Sequence, residues 1–209
     1  MMAQHVPGTA ERVGGTRKVR NTESPQEQED AILTAARKEF EENGIRKTGV
    51  DDVAQRAGVS RSTLYRRFPN KEALLMGVAE RVYLDGMRML EAATVGYGPQ
   101  DSVVEAFVAG AQMVNDDPLI RRMMLDERDA LQGITKSVTG LFIEIVTGRI
   151  MQTLRGAGAQ MPDDDLHAVT EILVRLVISF LDTPPLDEGR QSPESVREFA
   201  QRYLAPMVR

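Results

Sequence analysis

The chain has 209 residues, a formal net charge of −5, 42% hydrophobic residues, and neither cysteine nor tryptophan. That apolar content suffices for one large domain or for a small one joined to a medium one, and zero cysteines exclude disulfides and thiolate metal sites. The longest apolar run, residues 172–181, is interrupted by Arg175 and too short to cross a bilayer, and residues 1–21 lack the apolar segment of a secretory signal, so a cytoplasmic protein is expected.

Charge is unevenly spread: residues 1–71 hold 13 Lys/Arg against 10 Asp/Glu, whereas residues 72–209 hold 13 against 21. A basic end on an acidic body points to nucleic acid at one end alone. Residues 1–23 mix Gly, Pro, Thr and charge without periodicity and read as a disordered arm. Arg17, Lys18 and Arg20 fit either a solvated tail, the commoner use of such clusters, or a basic arm reaching phosphates.

Ser24-Pro25-Gln26-Glu27 is a capping box with proline at the first helical position. Ile32, Ala36 and Phe40 then keep one apolar face until Asn43-Gly44 closes the helix. A short helix follows with Val50, Val53, Ala54 and Ala57 on one face, ended by Gly58. Ser60 caps the next, Leu64 and Phe68 share a face, and Pro69 stops it. Two short helices across so tight a turn read as a helix-turn-helix. At about 100° per residue, burying Leu64 and Phe68 turns Ser62 and Arg66 outward, with Thr63 and Tyr65 on the flanks and Arg61 in the first turn. Arginine forks onto guanine or phosphate, a threonine methyl meets thymine, and a tyrosine hydroxyl reaches phosphate. Residues 44–71 carry seven Lys/Arg against Asp51 and Asp52. The expected DNA-binding set is Thr48, Gly49, Arg61, Ser62, Thr63, Tyr65, Arg66 and Lys71. Lys71 stands where helix N–H groups and an ammonium can address one phosphate.

Asn70 caps a long helix from Lys71 with Leu74, Leu75, Val78, Ala79, Val82, Met87 and Leu90 inward, the mechanical link from the motif to the rest of the chain. Gly96-Tyr97-Gly98-Pro99 breaks the pattern. Further helices carry Val103 to Val114, then Leu119 to Met124 after Asp117-Pro118, then Val138 to Leu154, then Leu166 to Phe180 after three aspartates, and lastly Val196 to Tyr203 after Ser192-Pro193-Glu194. No strand alternation or hairpin signal interrupts them, so the chain reads as all-α with about nine helices.

Enzymatic readings find little to stand on. The only histidines are His5 and His167, and there is no P-loop, GxGxxG or nucleophile elbow. Asp163 to Asp165 fit the positive end of a helix dipole better than a metal site. No catalytic residue, metal or cofactor is expected. Glu171 and Arg175 suit a helical ion pair, with an arginine meeting a ligand carboxylate as the other reading. Eight of eleven methionines lie between residues 76 and 161, and adaptable thioethers suit either core filling or a cavity for greasy guests. The expected ligand-binding set is Met87, Met89, Leu90, Phe107, Met123, Phe142 and Ile145. Residues 166–180 are apolar over more of the circumference than one internal face needs, and Val196, Phe199 and Tyr203 offer a second stripe. Leu173, Val177, Phe180, Val196, Phe199 and Tyr203 are therefore the expected dimer interface.

Val-Asp-Asp-Val-Ala, Ala-Gly-Val-Ser, Thr-Leu-Tyr and Phe-Pro-Asn-Lys-Glu, in order within residues 50–72, resemble the DNA-binding domain of the tetracycline-repressor (TetR) family. The resemblance covers the first third of the chain. Beyond the disordered arm read for residues 1–23, it implies a helix-turn-helix domain (24–70) and a helical ligand-binding and dimerisation domain (71–209). It further implies a homodimeric regulator, usually a repressor, that binds a palindromic operator and is released by a small molecule. Gly49 departs from the family, which favours Ser or Thr there, leaving only a backbone N–H for phosphate. A helical scaffold that no longer reads DNA is the alternative function.

Overall fold

The computed structural model describes residues 24–122, 143–183 and 187–209, all helices and connections, with no strand among them. In order they form α1 (Pro25–Asn43), α2 (Val50–Arg56), α3 (Arg61–Arg67), α4 (Lys71–Thr94), α5 (Pro99–Asp116), α6 (Pro118–Arg121), α7 (helical over 143–156), α8 (Asp163–Asp182) and α9 (Pro193–Phe199).

The starts and stops follow local chemistry. Ser24 and Glu27 complete the capping box in both directions, the Ser24 N–H donating to Glu27 at 2.6 Å and the Glu27 N–H to Ser24 at 3.2 Å. Asn70 caps α4 by accepting from the Ala73 N–H at 2.7 Å, and Ser192 caps α9. Gly44 and Gly58, which end α1 and the α2 turn, have φ of 81° and 68°, a region that penalises any side chain. After Phe199 the expected last helix changes pitch, with a π-type turn over Ala200–Leu204 and a 3₁₀ turn over Ala205–Met207. Pro206 has no N–H to return to the preceding turn, so the α ladder cannot run on.

Three apolar clusters hold the elements together. The first joins Ile32, Ala36 and Phe40 of α1, Val53 and Ala54 of α2, Leu64 and Phe68 at α3, and Leu74, Leu75 and Val78 of α4. Leu119 of α6, fully buried, completes it, so the head's core extends past residue 70 and takes a residue from beyond α5. The second lies between α5, α7, α8 and the end of the chain, around Val103, Val104, Leu154, Leu166, Leu173, Leu204 and Val208. The smaller third sets Ile143 and Val146 of α7 and Val174 of α8 against Tyr83 and Met87 of α4. Helix α4 thus touches the first and third clusters, as a link between head and body must.

Gly77 lets α4 approach α1 and the end of α3 closely. A Cβ there would stand 2.9 Å from Leu33 Cδ2 and 3.0 Å from the Phe68 ring. Among the described residues no helix is long and apolar enough to cross a membrane, and no group of His, Cys, Asp and Glu is placed to hold a metal ion.

Candidate nucleic-acid interface and the junction behind it

The turn between α2 and α3 is closed by backbone bonds from Gly58 N–H to Gln55 O at 3.2 Å and from Val59 N–H to Ala54 O at 3.1 Å. Leu64 is fully buried and Phe68 nearly so, which fixes the roll of α3. Arg61, Ser62, Tyr65 and Arg66 are exposed as a result, with Thr63 half-buried at their edge. Ser60, Ser62 and Thr63 form a hydroxyl cluster at the start of α3, the Ser60 oxygen lying 3.0 Å from that of Ser62 and 2.8 Å from that of Thr63.

The seven cations counted in this stretch divide sharply in the structure. Arg56 reaches back to α1, its Nε donating to Glu39 at 2.6 Å and its Nη1 to Glu42 at 3.0 Å. These hydrogen bonds hold the Glu42 carboxyl below its usual range and push the Arg56 guanidinium further above its own. Arg67 donates to Glu29, also on α1, at 3.1 Å. Lys71 donates to the Arg46 carbonyl at 2.9 Å, which ties the start of α4 to the α1–α2 loop and leaves two ammonium protons. Arg61 bridges to Asp51 of α2 at 2.9 Å. Arg66 is exposed and pairs with no carboxylate among the described residues. Charge counting treated Arg56 and Arg67 as part of the basic face, but they brace the motif against α1. The signal was present as Glu29, Glu39 and Glu42, whose destination only the packed helices reveal.

Thr48 stands apart from the other expected contacts. It is buried, its N–H donates to Gly44 O at 3.1 Å, and its hydroxyl lies 2.7 Å from Gly44 O and 3.0 Å from Glu39 O. Both donors serve the loop, so Thr48, expected among the DNA-binding residues, braces the end of α1 in this structure. Gly49 caps α2 without a side chain, and the Asp52 carboxylate lies 2.6 Å from where a Cβ would stand.

The five expected ligand-binding residues that are described occupy different surroundings. Met89 lines a cleft of about 280 Å³ with Val82, Gly86, Met113 and Ile120, between α1, α4, α5 and α6. Met87 packs on the third cluster, Phe107 on an aromatic group, and Ile145 is half exposed. Leu90 faces α5 near Gly110. Met123 and Phe142 lie outside the described residues. At the mouth of the cleft Arg37 donates to Asp117 at 2.5 Å, while Asp117 caps α6 by accepting from the Leu119 and Ile120 N–H groups. Burial disfavours the Arg37 charge, yet Asp117 and Glu41 outweigh it and hold the guanidinium above its ordinary range. Glu171 and Arg175 form the helical ion pair at 2.6 Å, on the outside of α8.

The expected dimer residues also divide. Leu173 is buried in the second cluster. Phe180 and Phe199 pack with Phe107 at ring separations of 6.2 Å and 6.1 Å, and Tyr203 joins at 5.2 Å from Phe199. Val177 and Val196 are half-buried. Among its described side chains, the large apolar ones that this region leaves to solvent are Ile172, 52% exposed, and Tyr203, 55% exposed. Periodicity missed Ile172 because it sits in an apolar run, where neighbours on every side look equally inward.

An all-helical chain whose head presents a helix-turn-helix, with arginines on the outward face of its second helix, has the build of a DNA-binding regulator. Residues 32–78 match the family described as "Bacterial regulatory proteins, tetR family", and residues 99–202 match "Bacterial Tetracyclin repressor, C-terminal domain". The HTH-type transcriptional regulator AlkX of Mycobacterium tuberculosis is 26% identical over 186 residues, covering 83% of this chain and 85% of that protein. EthR of the same species is 37% identical over 79 residues, or 38% of this chain and 36% of EthR. In fold, the chain resembles the crystal structure of the TetR family repressor AlkX from Dietzia sp. strain DQ12-45-1b, implicated in biodegradation of n-alkanes, with a TM-score of 0.63, 22% identity and coverage of 85% of this chain and 95% of that one. The chain belongs to the TetR family of bacterial transcriptional regulators.

Proposed function

We propose that this regulator is a cytoplasmic repressor that binds a palindromic operator as a homodimer and is released by a small lipophilic effector. The observation that carries the reading is the exposed row Arg61, Ser62, Tyr65 and Arg66 on a helix whose opposite face buries Leu64 and, just past its end, Phe68. Bases are read by side chains presented in this way from the second helix of the motif, while Lys71 and the N–H of Gly49 serve phosphates. Residues 24 to about 78 form the reading head, and the remainder carries the effector and dimer surfaces. The likeness to a repressor implicated in n-alkane biodegradation supports a lipophilic guest, and the junction cleft offers it Val82, Met89, Met113 and Ile120 beside the charged Arg37, Asp85 and Asp117.

Fluorescence anisotropy with the DNA upstream of its own gene tests this reading. Sequence-selective binding over a scrambled duplex at equal salt is expected. Equal affinity for both duplexes would leave a helical scaffold with no reading function.

A further inference from the structure

We propose that Asp51 is a specificity-determining residue of the reading head: it positions Arg61 for a guanine edge and withdraws one positive charge from the surface offered to phosphates of any sequence. The inference rests on the operator-reading function proposed above.

Asp51 lies in the first turn of α2 and Arg61 is the first residue of α3, so their bridge spans the turn between the two helix starts. It differs from the motif's other arginine pairs. Arg56 and Arg67 pair with carboxylates of α1, away from the outward face. Arg61 pairs with a carboxylate of the motif itself, and its side chain stays 72% exposed. One Nη contacts Asp51 at 2.9 Å. A guanidinium has five N–H donors on two usable edges, so this contact leaves a fork for the O6 and N7 acceptors of guanine.

The dipole of α2 favours both acids of its first turn, so what sets Asp51 apart is the place taken by Asp52. Its carboxylate folds back over Gly49, within 2.6 Å of the position a Cβ would take. Asp51 is therefore free to reach across to Arg61.

Two consequences of opposite sign follow. On the operator, an arginine already held by a carboxylate loses less rotamer freedom when it meets a base. On any other sequence, the pair offers phosphates no net charge, and non-specific affinity is built almost wholly from such charges. Arg66, without a carboxylate partner among the described residues, keeps its charge for either use.

The test compares wild type, Asp51→Asn, Arg61→Ala and the double variant on two duplexes across a salt series. One duplex is an operator selected by the wild-type protein from a random pool, and the other is its scrambled counterpart. Asp51→Asn is expected to bind the scrambled duplex about threefold more tightly or better, with a log–log salt slope steeper by about 0.9. Its operator affinity is expected to fall about threefold. With Arg61→Ala in place, Asp51→Asn no longer weakens operator binding. A shift in the same direction on both duplexes overturns the proposal, since joint tightening means plain repulsion and joint weakening means a structural brace. A wild type that selects no sequence from the pool overturns the reading function, and the role of Asp51 falls with it.

Discussion

Arg66 is where the reading surface can be tested with least disturbance, because its side chain is exposed and holds no described carboxylate. Arg66→Ala should leave the melting temperature unchanged and weaken operator binding more than tenfold, a base or phosphate contact being worth about 1–3 kcal/mol. Unaltered affinity with an unaltered circular dichroism spectrum removes Arg66 from the interface. The outward placement of Arg66 and the burial of Leu64 were both legible, because a seven-residue helix with two apolar residues one turn apart has one way to roll. The fates of Arg56, Arg67 and Thr48 were not. Their partners sit 17, 38 and 9 residues away on α1, and no local periodicity records a contact made across helices.

At the scale of elements, caps and breakers carried most of the information. Ser24-Pro25, Gly44, Gly58, Ser60, Asn70 and Ser192-Pro193 each mark an observed boundary, since each reports a backbone requirement met within three or four residues. Packing between elements was hidden, and Gly77 shows why. On α4 it reads as a weak helix position, and the structure makes it the point where α4 lies on Leu33 and the Phe68 ring. Alanine there would gain about 1 kcal/mol of helix propensity, yet its methyl would press on a ring that is only 8% exposed. Overpacking of this kind costs about 1–3 kcal/mol, so Gly77→Ala should be neutral to destabilising, where propensity alone predicts stabilisation. It should also weaken operator binding, because α4 would be displaced from the end of α3. A rise of several degrees in melting temperature with full operator affinity would show that the contact has slack.

At the scale of the whole molecule, a two-fold operator needs equivalent recognition helices about 34–36 Å apart, which a fixed dimer provides. Exposed Ile172 and Tyr203 are the sites at which to test the proposed dimer, since both are more than half exposed and only Tyr203 of the two packs on Phe199. Phe199 is a poorer choice because it packs on Phe107 and Phe180 within its own chain. Ile172→Glu with Tyr203→Glu should yield a folded monomer at micromolar concentration by sedimentation, with operator affinity reduced at least about tenfold. Dimers of undiminished stability would place the interface elsewhere.

How the proposed effector would act on the operator is likewise a whole-molecule matter, and the junction at α6 offers a route beside α4. Leu119 is buried in the head's core, while Asp117, two residues earlier, caps α6 and accepts from Arg37 of α1. Val82, Met89, Met113 and Ile120 line the cleft behind this pair. A guest that parts α4 from α6 must therefore also disturb the seat of α6 on α1. Coupling between sites is reciprocal and typically about 1–3 kcal/mol, so breaking the link should alter the effector response more than operator binding itself. Asp117→Asn keeps an oxygen for the α6 cap and removes the charge that holds Arg37. Its effectorless operator affinity should stay within about threefold of wild type, the usual worth of one partly exposed ion pair. Its release should change by more, measured as operator affinity with and without the compound that most raises the melting temperature in a panel of n-alkanes, fatty alcohols and phenols. A wild-type ratio in the variant would show that α4 transmits the signal without α6. A ratio near one in the wild type would show that the compound binds without releasing DNA.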